Sequence, residues 1–262
     1  MSTVKMKWAL ITGASSGIGR AFAQELASKK FNIVLVSRNQ SELKLLSMDL
    51  EKKYNIKTYI ISKDLSLLTS SQEIYTELNQ EGIDVDWLIN NAGFAIYGKY
   101  HLTDIKANQE QMILNMVSLA SMTQLFLKPM ISRGEGVIIN VGSTASYQPV
   151  PYMAIYGASK SFVRSFSEAL WAEYKDSGVQ FLTLNPGPVE TKFFERVNAS
   201  EASVGKRDTP ENTVKTAMKA LEKKQISIIS GPHSNFILSN LGRFLPQSVL
   251  VSITEKVMRP RT

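Results

Sequence analysis

Seven short runs of aliphatic and β-branched residues alternate with stretches whose apolar residues recur at helical spacing. The runs lie at 8–11, 33–36, 59–61, 87–89, 137–141, 181–184 and 226–229. Between the first three, Ile18, Phe22 and Leu26, then Leu43, Leu46 and Leu50, mark helix faces. Further helices are predicted through Ile74 and Leu78, over about 104–130, through Tyr156, Phe162 and Leu170, and over about 210–224. The runs are continuous rather than alternating, which predicts strands buried on both faces. Strands joined by helices imply right-handed crossovers and a parallel sheet. No Pro/Gly/Ser linker divides the chain and no repeat is present, so residues 1–262 are expected to form one doubly wound α/β domain.

Composition narrows the chemistry. The absence of cysteine excludes disulfides, thiolate metal sites and a cysteine nucleophile. His101 and His233 alone are too few for a histidine-rich metal site. No signal-type apolar core opens the sequence, and no apolar run reaches the ~18 residues of a spanning helix. A soluble cytoplasmic protein is the expectation. The net charge of +7 is spread along the chain, which describes a solvated basic surface that favours small anionic ligands. Nucleic-acid binding would need a clustered stripe or a recognisable module, and neither is present.

The first strand ends in Thr12-Gly13-Ala14-Ser15-Ser16-Gly17-Ile18-Gly19. A dinucleotide site needs glycine at such a turn. The backbone must turn tightly, approach a pyrophosphate and pack helix against strand, in a Rossmann-like arrangement. The helix N-terminus then offers free N–H groups and a favourable dipole to the anion. The second strand ends at Arg38, with no acidic residue at 36–39. An arginine there suits a 2′-phosphate, so NADP(H) is expected, with NAD(H) as the alternative. Asp64, beside Leu65 after the third strand, is placed to reach an adenine amine or to cap the next helix. Asn90-Asn91-Ala92-Gly93 closes the fourth strand with small residues that let backbone lie against a cofactor ring.

Tyr156 and Lys160 stand one helical turn apart, and Ser143 lies thirteen positions upstream of the tyrosine. A tyrosine near its reference pKa of about 10 is a poor base at neutral pH. A nearby lysine cation is expected to favour the phenolate. Tyr156 would donate a proton to a carbonyl oxygen, Ser143 would hold that oxygen, and Lys160 would also hold the nicotinamide ribose.

On these motifs the chain resembles the short-chain dehydrogenases/reductases of the classical type, over at least residues 8–230. The glycine-rich turn is similar to that family's cofactor motif, which brings Ser15, Ser16 and Ile18 into the cofactor site with Gly13, Gly17 and Gly19. Asn91, Ala92 and Gly93 belong to a segment similar to its sheet-stabilising motif. The resemblance implies a catalytic tetrad in which Asn115 joins Ser143, Tyr156 and Lys160 and supports a water-linked proton relay. It also implies that Pro186, Gly187, the Val189 backbone and Thr191 meet the nicotinamide end, that residues 192–205 act as a lid, and that the chain is a homodimer or homotetramer through the helices carrying Asn115 and Tyr156. The implied activity is interconversion of a carbonyl and an alcohol by hydride transfer. Within the family the C-terminal part is similar to ketoacyl-CoA and hydroxysteroid reductases. A non-catalytic nucleotide sensor, or an epimerase or dehydratase with the same Tyr–Lys pair, is the alternative.

Segments 94–98, 145–152 and 192–205 are candidates for the substrate wall, with Phe94, Tyr147, Tyr152, Phe193 and Phe194 as its lining. A hydrophobic ketone or aldehyde is the expected substrate. The tail at 233–261 reads as two short amphipathic helices broken at Pro246, carrying Arg243, Lys256, Arg259 and Arg261. They are expected to pack on the core or on another subunit; a substrate mouth or a membrane-surface contact is the alternative.

Overall fold

The computed structural model describes residues 6–193, 197 and 206–260, without the side chains of Leu241 and Arg243. Seven parallel strands form one sheet in the order 3-2-1-4-5-6-7: β1 Trp8–Thr12, β2 Asn32–Ser37, β3 Thr58–Ser62, β4 Val85–Asn90, β5 Gly136–Val141, β6 Val179–Pro186 and β7 Ser227–Ser230. The order reverses between β1 and β4. At such a switch point the loops leave in opposite directions and open a crevice at the carboxyl ends of the strands.

Helices cover both faces. α1 Gly17–Ser28, α2 Gln40–Tyr54 and α7 Pro210–Glu222 supply side chains to one apolar cluster, with Phe22, Leu26, Leu46, Leu50, Val214 and Leu221 packed beneath Ile11, Leu35 and Ile139. α3 Ser70–Gln80, α4 Ile105–Met112, α5 Leu119–Arg133 and α6 Ala154–Glu173 cover the other face, where Ile74, Leu78, Met122 and Phe126 meet Leu10, Val34 and Ile138. Successive strand residues therefore point into different cores. This is why the apolar runs of the sequence do not alternate with polar residues. The tail forms α8 His233–Leu241 and α9 Gln247–Met258, separated by Pro246.

The long helix predicted over 104–130 starts where expected, with Asp104 capping it by accepting from Ala107 N at 2.7 Å. It is interrupted, however, by a π-helical stretch at Ile113–Ser118. Across the middle of the sheet runs a buried polar line. Asn90 Nδ2 donates to Thr123 Oγ1 at 3.0 Å and to Asn140 Oδ1 at 2.9 Å, and Asn140 Nδ2 donates to Ser167 Oγ at 2.9 Å. Asn90 and Asn140 are register partners in β4 and β5. Among the described residues, no helix is long and apolar enough to cross a membrane.

Candidate active site

A cavity of about 560 Å³ opens along the carboxyl ends of the strands. At one end it is lined by Ser37, Arg38, Asp64 and Leu65, and in the middle by Gly13, Ser15, Ser16, Gly17, Ile18, Asn91, Ala92 and Gly93. At the other end are Ser143, Tyr156 and Lys160, with Pro186, Gly187, Val189 and Thr191 along one side. The fold thus brings almost every candidate catalytic and cofactor residue of the sequence to one surface. Among these, Gly19 and Asn115 are the two that do not line it.

The glycine turn is built around close backbone approach. Gly13 has φ +66°, and a Cβ on Gly19 would lie 2.4 Å from Gly13 O. The turn is locked to β4 from below. Thr12 Oγ1 accepts from Asn91 N at 2.9 Å and from Ala92 N at 3.0 Å, while Asn91 Nδ2 donates to Thr12 O at 2.9 Å. Ser16, the residue before α1, makes no side-chain cap, and α1 has no acidic residue in its first turn. The N–H groups of that turn therefore face the cavity without a carboxylate to compete for an anion. The small residues, the free helix start and the length of the cavity fit a dinucleotide.

Arg38 Nη1 lies 3.7 Å from Asp64 Oδ2. Asp64 does not cap the next helix, since Thr69 holds that position. Its Oδ1 instead accepts from Ser66 N at 2.9 Å and from Ser66 Oγ at 2.8 Å. Burial alone would raise the Asp64 carboxyl, but the Ser66 hydrogen bonds and the Arg38 charge hold it below the usual carboxylate range.

Ser143 closes β5 and caps a 3₁₀ turn, its Oγ accepting from Ala145 N at 3.1 Å. It also stands near enough to the Tyr156 hydroxyl to favour its charged form. Lys160 is buried one turn further along α6, and its Nζ donates to Val141 O at 2.7 Å. That Nζ sits 5.9 Å from the centroid of the Tyr156 ring. The expectation that the lysine charge draws the phenol down is not what this geometry gives. Burial pushes Tyr156 up, and the nearby Ser143 hydroxyl offsets part of that. Burial likewise pushes Lys160 down, to about 8. The cation is aimed past the ring at a backbone carbonyl, so desolvation outweighs the pair attraction.

Asn115 lies in the π-helical stretch and is 1% exposed. Its Nδ2 donates to Phe94 O at 2.9 Å and to Ser159 Oγ at 3.1 Å, and its Oδ1 accepts from Phe94 N at 3.2 Å. It thereby ties the segment after β4 to α6, next to Lys160. Ser159 was not singled out in the sequence, where a serine in a helix carries no signal.

The apolar end of the cavity corrects part of the expected wall. Phe94 and Phe193 line it. Tyr147 does not; its ring lies 4.1 Å from the Arg164 guanidinium carbon. Tyr152 borders a separate cavity of about 290 Å³ and reaches toward α9. Phe194 and most of the expected lid at 192–205 lie outside the described residues. The tail supplies wall residues instead, among them Leu238, Leu245, Leu250, Ile253 and Val257. Asn235, a polar residue in an apolar stretch, also lines the cavity and donates to Ser230 O at 3.2 Å.

Comparison with known proteins shows the family. The short chain dehydrogenase family model matches residues 7–202. The chain is 37% identical over 221 residues to very-long-chain 3-oxoacyl-CoA reductase-B of Danio rerio, covering 82% of this chain and 68% of that protein. It is 38% identical over 191 residues to very-long-chain 3-oxoacyl-CoA reductase of Mus musculus, covering 71% of this chain and 61% of that protein. A short-chain dehydrogenase from Sphingobium yanoikuyae, solved in complex with NADPH, superimposes with a TM-score of 0.82 at 25% identity, covering 98% of this chain and 97% of that one. The chain belongs to the short-chain dehydrogenase family, and it is an oxidoreductase acting on CH–OH and carbonyl groups. The sensor and epimerase alternatives draw no support from these relatives.

Proposed function

We propose that this protein is an NADP(H)-dependent reductase of a ketone or aldehyde carried on a large apolar body. One observation carries the reading: a single cavity joins Arg38 and the glycine turn to Ser143 and Tyr156, and then continues between apolar side chains of the tail. The named relatives, two of them 3-oxoacyl-CoA reductases and one bound to NADPH, support the same assignment.

A nicotinamide dinucleotide, when bound, supplies the hydride. The turn from Gly13 to Gly19 would hold its pyrophosphate, Arg38 a 2′-phosphate, Asp64 and Leu65 the adenine, and Asn91 to Gly93 with Pro186, Gly187, Val189 and Thr191 the nicotinamide side. Tyr156 donates its hydroxyl proton to the substrate oxygen, and Ser143 donates a second hydrogen bond to that oxygen. Raised by burial, the phenol stays protonated at neutral pH, the form that reduction needs, although the same shift makes it a weaker acid. Lys160, one turn along α6, would hold the nicotinamide ribose, and with Asn115 beside it would lie on the path that returns a proton to Tyr156. The apolar wall positions the body of the substrate by burial, at about 25 cal/mol per Å².

Tyr156→Phe should lower turnover by ~10² to 10⁴-fold while leaving NADPH binding intact. Steady-state rates with a ketone panel, together with a fluorescence titration of NADPH, check this. Near-native turnover would sink the role of Tyr156. Arg38→Asp should reverse the preference between NADPH and NADH, because it replaces a charge-assisted contact by repulsion. Equal binding of both cofactors to the unaltered protein would make Arg38 a surface residue only.

The reading includes a homodimer or homotetramer through α4–α5 and α6, where Val117, Phe162 and Trp171 leave apolar surface exposed. Light scattering tests it. A cytoplasmic location belongs to the same reading and is open to cell fractionation.

A further inference from the structure

The wall of the cavity contributed by α9 is held by two phenols that the chemistry does not use. Tyr97, in the segment after β4, donates through its hydroxyl to Met258 O at 2.6 Å. Tyr152, in the segment before α6, donates to Glu255 Oε1 at 2.5 Å. Glu255 is fixed in turn by Arg259, whose Nε and Nη2 donate to its two oxygens at 2.9 and 2.8 Å. The two tyrosines act together. Their ring centroids are 6.2 Å apart, and Gly98 N donates to Tyr152 O at 2.9 Å.

Tyr152 has φ +64°, a left-handed backbone angle that is an outlier for a bulky residue. Such an angle persists where the surroundings over-determine it. Here it turns the phenol away from the cavity that holds Tyr156, four residues on, and toward α9. Between the contacts, Met258 packs into a small apolar cluster with Ala95 and Met153, against Tyr97, Tyr152, Tyr156 and Phe193. On the cavity side, α9 presents Leu250, Ile253 and Val257. Leu250, Thr254 and Met258 are its buried residues, while Val249, Ile253 and Val257 remain nearly half exposed.

We infer that Tyr97 and Tyr152 latch α9 over the cavity and thereby set the length of apolar body that the site accepts. This rests on the proposed reading that the substrate is a carbonyl on an apolar body. A short ketone fills the space beside Ser143 and Tyr156 and does not reach α9. A long one depends on Leu250, Ile253 and Val257 standing still. Tyr97 and Tyr152 are therefore positioning residues with an effect on specificity.

The test uses the full chain and a series of straight-chain methyl ketones from 4 to 12 carbons, with NADPH, the series length being on the order of the cavity's reach. In Tyr97→Phe/Tyr152→Phe, KM for the longest ketones should rise about tenfold, the scale of a lost charge-assisted hydrogen bond, with kcat kept and short ketones unchanged. Glu255→Gln keeps an acceptor for Tyr152 but loses the charge and the Arg259 pair, so it should fall between the unaltered protein and Glu255→Ala, which should resemble Tyr152→Phe. Hydrogen exchange without ligand should speed up over 247–258 in the double variant and stay constant over 154–173. An equal loss for short and long ketones, or unchanged exchange over 247–258, overturns the latch. A flat KM along the series in the unaltered protein, with faster exchange in the variant, would instead overturn the apolar-substrate reading and leave the latch as a mechanical fact.

Discussion

Lys160 is the costly residue of this site. Its folded-state value of about 8 lies below the ordinary 10.5. Between those two values the unfolded chain holds a proton that the folded one has released, so stability rises with pH across that window. Below pH 8 the buried cation costs on the order of 3 kcal/mol, partly offset by its bond to Val141 O. The unaltered protein should therefore gain stability relative to Lys160→Met as pH rises from 7 to 10. Denaturant melts of both proteins at the two pH values check this, and a constant gap would mean that Lys160 titrates ordinarily. Glu255 is lowered as well, but there it is the charged form that the fold favours. Hydrogen bonds from Arg259 and then Tyr152 lower it to about 2, so its contribution is complete above the ordinary carboxyl value of 4.5 and is lost only as pH falls through about 2. Lys160 and Tyr156 were legible in the sequence because their spacing is one helical turn. The direction of their pKa shifts was not, because desolvation depends on what the rest of the chain piles around them.

At the scale of elements, the same contrast recurs. The strands were legible because two cores demand apolar residues on both faces, and α1 to α3 because their apolar residues recur every three or four. The π-helical stretch that carries Asn115 has no such signature, since one extra residue per turn changes bonding without changing composition. The joining of α9 to the segments around Tyr97 and Tyr152 was equally hidden. Its partners are 161 and 103 residues apart in sequence. The turn between β1 and α1 has little room. Gly19→Ala would bring a methyl group to 2.4 Å from Gly13 O, where only backbone can yield. That variant should bind NADPH at least about tenfold more weakly and melt earlier, as for other forced backbone shifts. Isothermal titration and a thermal scan measure both, and unaltered binding would show that the turn can yield without cost to the cofactor site.

For the whole molecule, the sheet separates labour between its two rims. The carboxyl rim carries the cavity. The amino rim carries tight returns such as Gly178, with φ +80°, where a Cβ would stand 2.0 Å from Gly134 O. Gly178→Ala should lower stability by about 1–3 kcal/mol and leave kcat and KM unchanged below the melt. A parallel fall in activity at low temperature would mean that strain is carried through β6 to the site. The polar line through Asn90 and Asn140 has a bearing on this division. Strands that are oily on both sides could slip past one another by a residue pair and still find oily neighbours. Two buried amides cannot, because each would lose a partner that nothing else there replaces. They serve as alignment marks. Through them the ends of β4 and β5 finish level, and Gly93 and Ser143 come to line one cavity.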